Sequence, residues 1–174
     1  TLFRSGKQVD FAMEGLGIEL DRTVLDEIGD PLVHLLRNSI DHGVEPPEVR
    51  AEQGKPPIGR ITLSARRERD HVAIVVSDDG KGIDPSRVWS KACDRGIVAE
   101  ADRGDYSESD VLMFTCVPGF TTVDTTTKVS GRGVGLDVVK GKIEHLGGSL
   151  RIDSRLGQGT DFVLRLPFTL AILQ

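Results

Sequence analysis

Hydrophobic and polar positions along the chain fall into runs of two periods, and their order predicts a series of elements. Lys7 to Leu20 alternates loosely, as a strand near a sheet edge would. Leu25, Ile28, Leu32, Leu36 and Ile40 then recur at helical spacing, with Asp21 or Thr23 as the cap and Gly43 as the stop. Pro31 either opens a second helical segment behind Asp30 or is carried as a kink, and a kink is the expectation. Glu45 to Gly59 holds four prolines and reads as a loop with at most a short helical turn.

Two β-rich runs, Ile61 to Ala65 and Val72 to Val76, are joined across Arg67 to Asp70 and predict a hairpin. Asp84-Pro85 signals a helix reaching about Arg95, and Ser107 with Asp110 a short one to about Phe114. The threonine-rich Pro118 to Arg132 lacks apolar periodicity and is expected to be a mobile loop. A helix from Val134 to Leu146 follows, with Leu136, Val139, Ile143 and Leu146 inward and Gly147-Gly148 as its end. Strands Ser149 to Ser154 and Asp161 to Leu166, around a turn at Leu156 to Thr160, close the chain. Adjacent hairpins with helices grouped between them predict an α+β fold, a two-layer α/β sandwich with helices on one face of a mixed sheet.

Composition narrows the function classes. The chain has 174 residues, 38% hydrophobic and 28% charged, enough for one buried core and cramped for two. Its net charge of -5, with basic and acidic residues interspersed, gives no nucleic-acid surface. No apolar run approaches the roughly 20 residues of a membrane helix, so direct insertion is not expected. No signal peptide is expected, and Cys93 and Cys116 lack CxxC spacing; free thiols in the cytoplasm are the expectation. The chain opens without Met, as a domain excised from a longer protein would.

Four stretches carry candidate chemistry. In "HLLRNSIDHG", His34, Asn38 and Asp41/His42 share a helical stripe displaced from the apolar one. A solvated face is the plain reading. Two histidines two turns apart with no third soft ligand make a poor zinc site, whereas the Asn38 amide oxygen suits a hard cation such as Mg²⁺. In "VVSDDGKGI", Asp78 ends an apolar strand, where burial demands a donor; the amino group of a purine would serve, with Gly80 and Gly82 giving a base room. A strand-ending turn is the alternative. "GRGVGL" runs alternate glycines into a helix N-terminus, an anion site in principle, without the strand and acidic residue of a dinucleotide fingerprint. "GQGT" alone is a hairpin turn.

Taken in order, these stretches resemble the GHKL group of ATPases and kinases. The asparagine box spans His34 to His42, DxGxG lies at Asp78-x-Gly80-x-Gly82, GxGxG at Gly131 to Gly135, and GT at Gly159-Thr160. Within the group the chain is similar to the ATP-binding kinase domain of CheA-type chemotaxis histidine kinases, through "HLLRNSIDHGVEPPEVR", "GKPPIG", "VPGFTT", "VSGRGVGLDVVK" and "RLPFTLAI". The resemblance implies a Bergerat-type sandwich that binds ATP and Mg²⁺ under a mobile lid.

It further implies that Asn38 coordinates the Mg²⁺, with Arg37 and His42 near the phosphates. Asp78 would accept from adenine, with Thr160 nearby, and Gly80 and Gly82 would make space for the base. Arg87 would reach the phosphates; Gly131, Gly133, Gly135 and Leu136 would belong to the lid, anchored by Phe114 and Phe120. Hydrolases of the group place a Glu four residues before the metal-binding Asn. Here that position is His34, which favours phosphotransfer over hydrolysis and makes His34 the candidate catalytic residue. The alternative is an ATPase that drives a conformational clamp.

By the same resemblance, 1–174 is a single kinase domain, with 1–6 left from a preceding segment and 168–174 opening a regulatory domain. Its partners would be the histidine phosphotransfer domain of the same kinase and, in the full-length protein, dimerisation and coupling domains, response regulators, a coupling protein and chemoreceptors. The isolated domain would be monomeric.

Overall fold

In the computed structural model, residues 2–4, 6–15, 17–120 and 135–168 are described. The elements are β1 (Leu2–Arg4), β2 (Lys7–Glu14), α1 (Arg22–Asn38), α2 (Pro47–Glu52), β3 (Gly59–Arg67), β4 (His71–Asp78), α3 (Pro85–Asp94), α4 (Glu108–Leu112), α5 (Leu136–His145), β5 (Ser149–Arg155) and β6 (Gly159–Pro167). A π-helical turn, Ser39–Gly43, continues α1, and 3-10 turns cover Glu100–Asp105 and Met113–Cys116.

All six strands form one sheet in the order β1-β2-β3-β4-β6-β5. β2 and β3 pair in parallel and every other neighbour is antiparallel, so the sheet is mixed and mostly antiparallel, as expected. Strand alternation then separates the faces. On β4, Val72, Ile74, Val76 and Asp78 point to the helix layer, where Ile61, Phe162, Leu164, Leu166, Leu150 and Ile152 join them in the core. Helix residues Val24, Ile28, Leu35, Val88, Trp89, Val111, Leu112, Val139 and Ile143 cover that face. Burying each such aliphatic side chain stabilises by about 1.5–3 kcal/mol. Trp89, Tyr106 and Phe114 cluster with ring centroids 5.5–6.2 Å apart in the same layer.

Several boundaries differ from expectation for local reasons. The first long strand ends at Glu14, not Leu20. Gly15 turns the chain at φ +79°, where a side chain would overlap the Ala65 backbone. The buried stripe of α1 is Val24, Ile28, Pro31 and Leu35, about one residue round from the predicted one, and Leu25 is 48% exposed. Leu32, Leu36 and Ile40 only half-bury against the core. Adjacent stripes are both apolar here, and periodicity alone does not choose between them. The Asp21 carboxylate caps the helix through the Thr23 N–H at 2.8 Å, and Pro31 is carried inside it as expected.

The end of α1 is fastened from β2. Lys7 Nζ donates to the carbonyls of Ile40 at 2.9 Å and Asp41 at 2.8 Å, groups a helix terminus leaves unsatisfied. Burial lowers the Lys7 ammonium below its ordinary value, and Asp41 opposes that shift.

Candidate functional site

The strand alternation that builds the core carries Asp78 into it. Asp78 is the last residue of β4, 5% exposed, and faces the helix layer. Burial pushes its carboxyl from 3.8 up to about 6. Ser39 and the backbone of Gly80 and Thr160 oppose the rise, and Asp79 adds to it. The Gly80 N–H holds Asp78 Oδ1 at 3.0 Å.

Glycines let three pieces of backbone converge on Asp78, two of them on its carboxylate. A Cβ on Gly43 would stand 2.9 Å from Asp78 Oδ2, and one on Gly80 would be 2.8 Å from Oδ1 while overlapping the Gly43 carbonyl. Gly159, at φ +117°, packs on the Asp78 carbonyl. Gly82, at φ +71°, approaches the Arg155 carbonyl in the β5–β6 turn. The bar against side chains at Gly80 and Gly82 therefore has a reason inside the protein. Thr160 is the cross-strand partner of Asp78 and is 5% exposed; its hydroxyl meets Ser154 Oγ at 2.9 Å.

Above Asp78 lies the asparagine-box segment. Ser39 is 1% exposed, and among the described residues its Oγ has no aligned hydrogen-bond partner, although it lies against the Asp78 carboxyl. A buried hydroxyl beside a buried carboxylate suits a ligand offering both donor and acceptor atoms. Asn38 is half-buried at the end of α1, while Arg37 and His42 are exposed on the same segment.

His34, one turn earlier, is half-buried. Burial, aided by Arg37 and His42, lowers its pKa below 6.5, against an opposing pull from Asp137 of α5. Its imidazole is therefore mostly neutral at pH 7 and can accept a proton or a hydrogen bond. Among the described residues no group of three or more His, Cys, Asp or Glu could hold a metal ion. A Mg²⁺ ion there would take the Asn38 amide oxygen and fill its other positions from phosphate and water, as Mg²⁺ commonly does.

The structure thus gathers Asp78, Gly80 and Thr160 at one point and sets His34, Arg37, Asn38 and His42 along the segment above it. Gly135 is the N-cap position of α5 and Leu136 its first residue, half-buried, on the helix that packs against α1. Arg87 is exposed in the first turn of α3. Phe114 packs in the aromatic cluster, and Phe120 lies under the Arg95 guanidinium, 5.2 Å from the ring centroid. Gly131 and Gly133, with most of the expected lid, lie outside the described residues.

Sequence reasoning missed a second layer. Ser39, between Asn38 and Ile40, carries no sequence signal of its own. Glu45, Arg50, Lys55 and Asp79 form an ion cluster directly behind Asp78 and Gly80, with Arg50 and Glu45 buried and Asp79 partly exposed. In sequence, Glu45, Arg50 and Lys55 are charges within a proline-rich stretch and Asp79 follows Asp78, and none of them carries a periodic signal.

Known proteins match this chain along nearly its whole length. A family profile described as histidine kinase-, DNA gyrase B-, and HSP90-like ATPase matches residues 26–170. The chain is 48% identical over 96% of its length to the chemotaxis protein CheA of Bacillus subtilis, and 51% identical over 97% to that of Halobacterium salinarum. It covers 25% of each of those relatives. It is also 47% identical to the sensor histidine kinase CheAY of Helicobacter pylori, over 97% of this chain and 21% of that protein. Among solved structures, the catalytic domain of histidine kinase ThkA aligns over 92% of this chain and 80% of that one, with TM-score 0.54 at 22% identity. The histidine kinase domain of the blue-light activated kinase of Erythrobacter litoralis aligns over 95% and 56%, with TM-score 0.53 at 14% identity. At these identities the two structures establish the fold.

Proposed function

This chain belongs to the histidine kinase-, DNA gyrase B- and HSP90-like ATPase family, and we propose on that premise that it is the Mg-ATP-binding kinase domain of a CheA-type chemotaxis histidine kinase. It would transfer the γ-phosphoryl of ATP to a histidine on a separate phosphotransfer domain of the same kinase. The chain spans about a quarter of the curated relatives it matches, so the remaining parts of such a kinase lie elsewhere.

The observation that carries this reading is the state of Asp78. It is buried, one oxygen is held by the Gly80 N–H, the carboxyl is ionised above about pH 6, and the buried Ser39 hydroxyl lies beside it. A carboxylate so placed accepts from the amino group of adenine and repels a carbonyl at the same point of a guanine.

Phosphoryl transfer depends on positioning and charge neutralisation more than on covalent help. The bond from the γ-phosphorus to its bridging oxygen breaks, a bond to an imidazole nitrogen forms, and ADP leaves. Asn38 would hold Mg²⁺, which supplies charge neutralisation along the triphosphate. Arg37, His42 and Arg87 would add positive charge, and Gly131, Gly133, Gly135 and Leu136 would belong to the lid that closes on the phosphates. His34, mostly neutral at pH 7, would orient the incoming imidazole or take its proton. Hydrolases of the group place a Glu at the position where this chain has His34, so the ATPase reading is disfavoured.

Dimerisation and coupling domains, response regulators, a coupling protein and chemoreceptors are the partners proposed for the full-length protein, with the isolated domain a monomer in the cytoplasm. Among the described residues no helix is long and apolar enough to cross a membrane. The test is to mix the chain with a histidine phosphotransfer domain and γ-labelled ATP. Phosphohistidine on the partner is expected. Steady phosphate release with no phosphohistidine at any concentration would overturn the reading in favour of a hydrolase.

A further inference from the structure

The turn after Asp78 is tied at nearly every residue. The Asp79 N–H donates to the Arg60 carbonyl at 3.1 Å, the Lys81 N–H to the Gly43 carbonyl at 3.0 Å, and the Ile83 N–H to Ser154 Oγ at 2.8 Å. The Lys81 carbonyl accepts from the Gly157 N–H at 2.7 Å.

Behind this turn sits the ion cluster from the proline-rich segment. Arg50 is fully buried. Its Nε donates to the Pro56 carbonyl at 2.7 Å, Nη1 to Glu45 Oε2 at 3.1 Å and to the Asp79 carbonyl at 3.2 Å, and Nη2 to Asp79 Oδ2 at 2.8 Å. Lys55 Nζ spends its three protons on Glu45 Oε1 at 2.8 Å, the Asp79 carbonyl at 3.0 Å and the Gly80 carbonyl at 2.7 Å. The other Asp79 oxygen accepts from the Arg60 N–H at 2.8 Å.

Charge balance alone does not require this aim. Two carboxylates and two cations already neutralise one another, yet three of the donor contacts end on the carbonyls of Asp79 and Gly80. Those carbonyls fix the peptide planes on either side of Gly80, whose N–H in turn holds Asp78 Oδ1. Asp79, drawn away by Arg50 and Arg60, cannot compete as a second acceptor.

We infer that Arg50 and Lys55 are positioning residues for base selection: by gripping Asp79 and the carbonyls of Asp79 and Gly80, they fix the turn that aims the Asp78 carboxylate at a purine amino group. This rests on the nucleotide reading proposed above.

The test compares Lys55→Met with the unaltered chain by calorimetric titration against Mg-ATP, Mg-GTP and magnesium tripolyphosphate, with thermal melting in parallel. The ATP affinity is expected to fall about tenfold, the size of one misdirected charge-assisted hydrogen bond. The ATP-to-GTP ratio should fall by a similar factor, with tripolyphosphate affinity unchanged within about twofold. Arg50→Met would leave two carboxylates uncompensated and endanger the fold, so Asp79→Asn serves as the second variant, with the same direction expected. An unchanged ATP-to-GTP ratio in both variants, whatever happens to the melting temperature, overturns the inference and leaves a purely structural cluster. An unaltered chain that binds no ATP overturns the nucleotide reading itself, which is a different failure.

Discussion

A side chain on Gly43 would stand 2.9 Å from Asp78 Oδ2, so the end of the first long helix and the end of the central strand meet where a glycine is required. The contact joins two sequence motifs that are 35 residues apart, by the difference of their numbers. It also makes the acceptor position of Asp78 and the height of the Asn38 segment parts of one geometry.

The first consequence concerns binding. Asp78→Asn keeps the size of the side chain but loses its charge and presents an amide in place of a second acceptor. ATP affinity should drop about tenfold to a hundredfold, as expected for one hydrogen bond to a charged group, with the far-ultraviolet dichroism unchanged. Asn38→Asp should go further and abolish measurable binding, by placing a charge against the phosphates. Calorimetric titration checks both, and unchanged affinity in either excludes the site as described.

The raised Asp78 pKa also predicts how stability depends on pH. Its folded value of about 6 exceeds the unfolded 3.8, so the native state holds the proton more tightly. The resulting stability is fully present below about pH 3.8 and lost as pH rises through about 6, a change on the order of 3 kcal/mol. Asp78→Asn does not titrate. Relative to the unaltered chain, its urea-unfolding free energy should therefore improve between pH 4 and 7 and then level off. A flat difference across that range would mean the carboxyl is ionised throughout.

Two glycines of the β5–β6 hairpin should respond differently to alanine. Both have positive φ, +76° at Gly157 and +117° at Gly159, but only at Gly159 would a Cβ meet backbone, at Asp78. Gly157→Ala should cost about 1–2 kcal/mol for backbone strain alone, and Gly159→Ala about 2–4 kcal/mol once the overlap is added. Denaturant midpoints of the two variants give the comparison directly.

His34 offers a separation of binding from chemistry. His34→Ala should leave ATP affinity within a few-fold and slow phosphotransfer by about a hundredfold to ten-thousandfold, the usual span of a general acid–base group. The same rate in the unaltered chain should fall as pH drops through the His34 pKa, which lies below 6.5. Equal loss of binding and rate would make His34 a binding residue instead.

What the sequence revealed depended on whether the relevant physics is local. Strand alternation placed Asp78 at a buried strand end, and capping chemistry placed the starts of α1, α3 and α4, because these signals sit within a few residues of their effects. The rotation of α1 was not legible, since Leu25 and Val24 are equally apolar and only packing on the sheet separates them. Nor were Ser39 and the Arg50 cluster. Their meaning comes from contacts as distant as Arg50 to Asp79, and neither a lone serine nor a charged proline-rich stretch announces what it will touch.

The Lys7 bridge bears on where this unit can be cut. The likeness shared across the ATPase family begins at residue 26, beyond β2. A fragment started there would leave β3 as an unpaired edge open to other chains and strip the Ile40 and Asp41 carbonyls of their cation. The shortest working piece is therefore longer than the shared pattern, and expression trials should keep the chain from before Lys7.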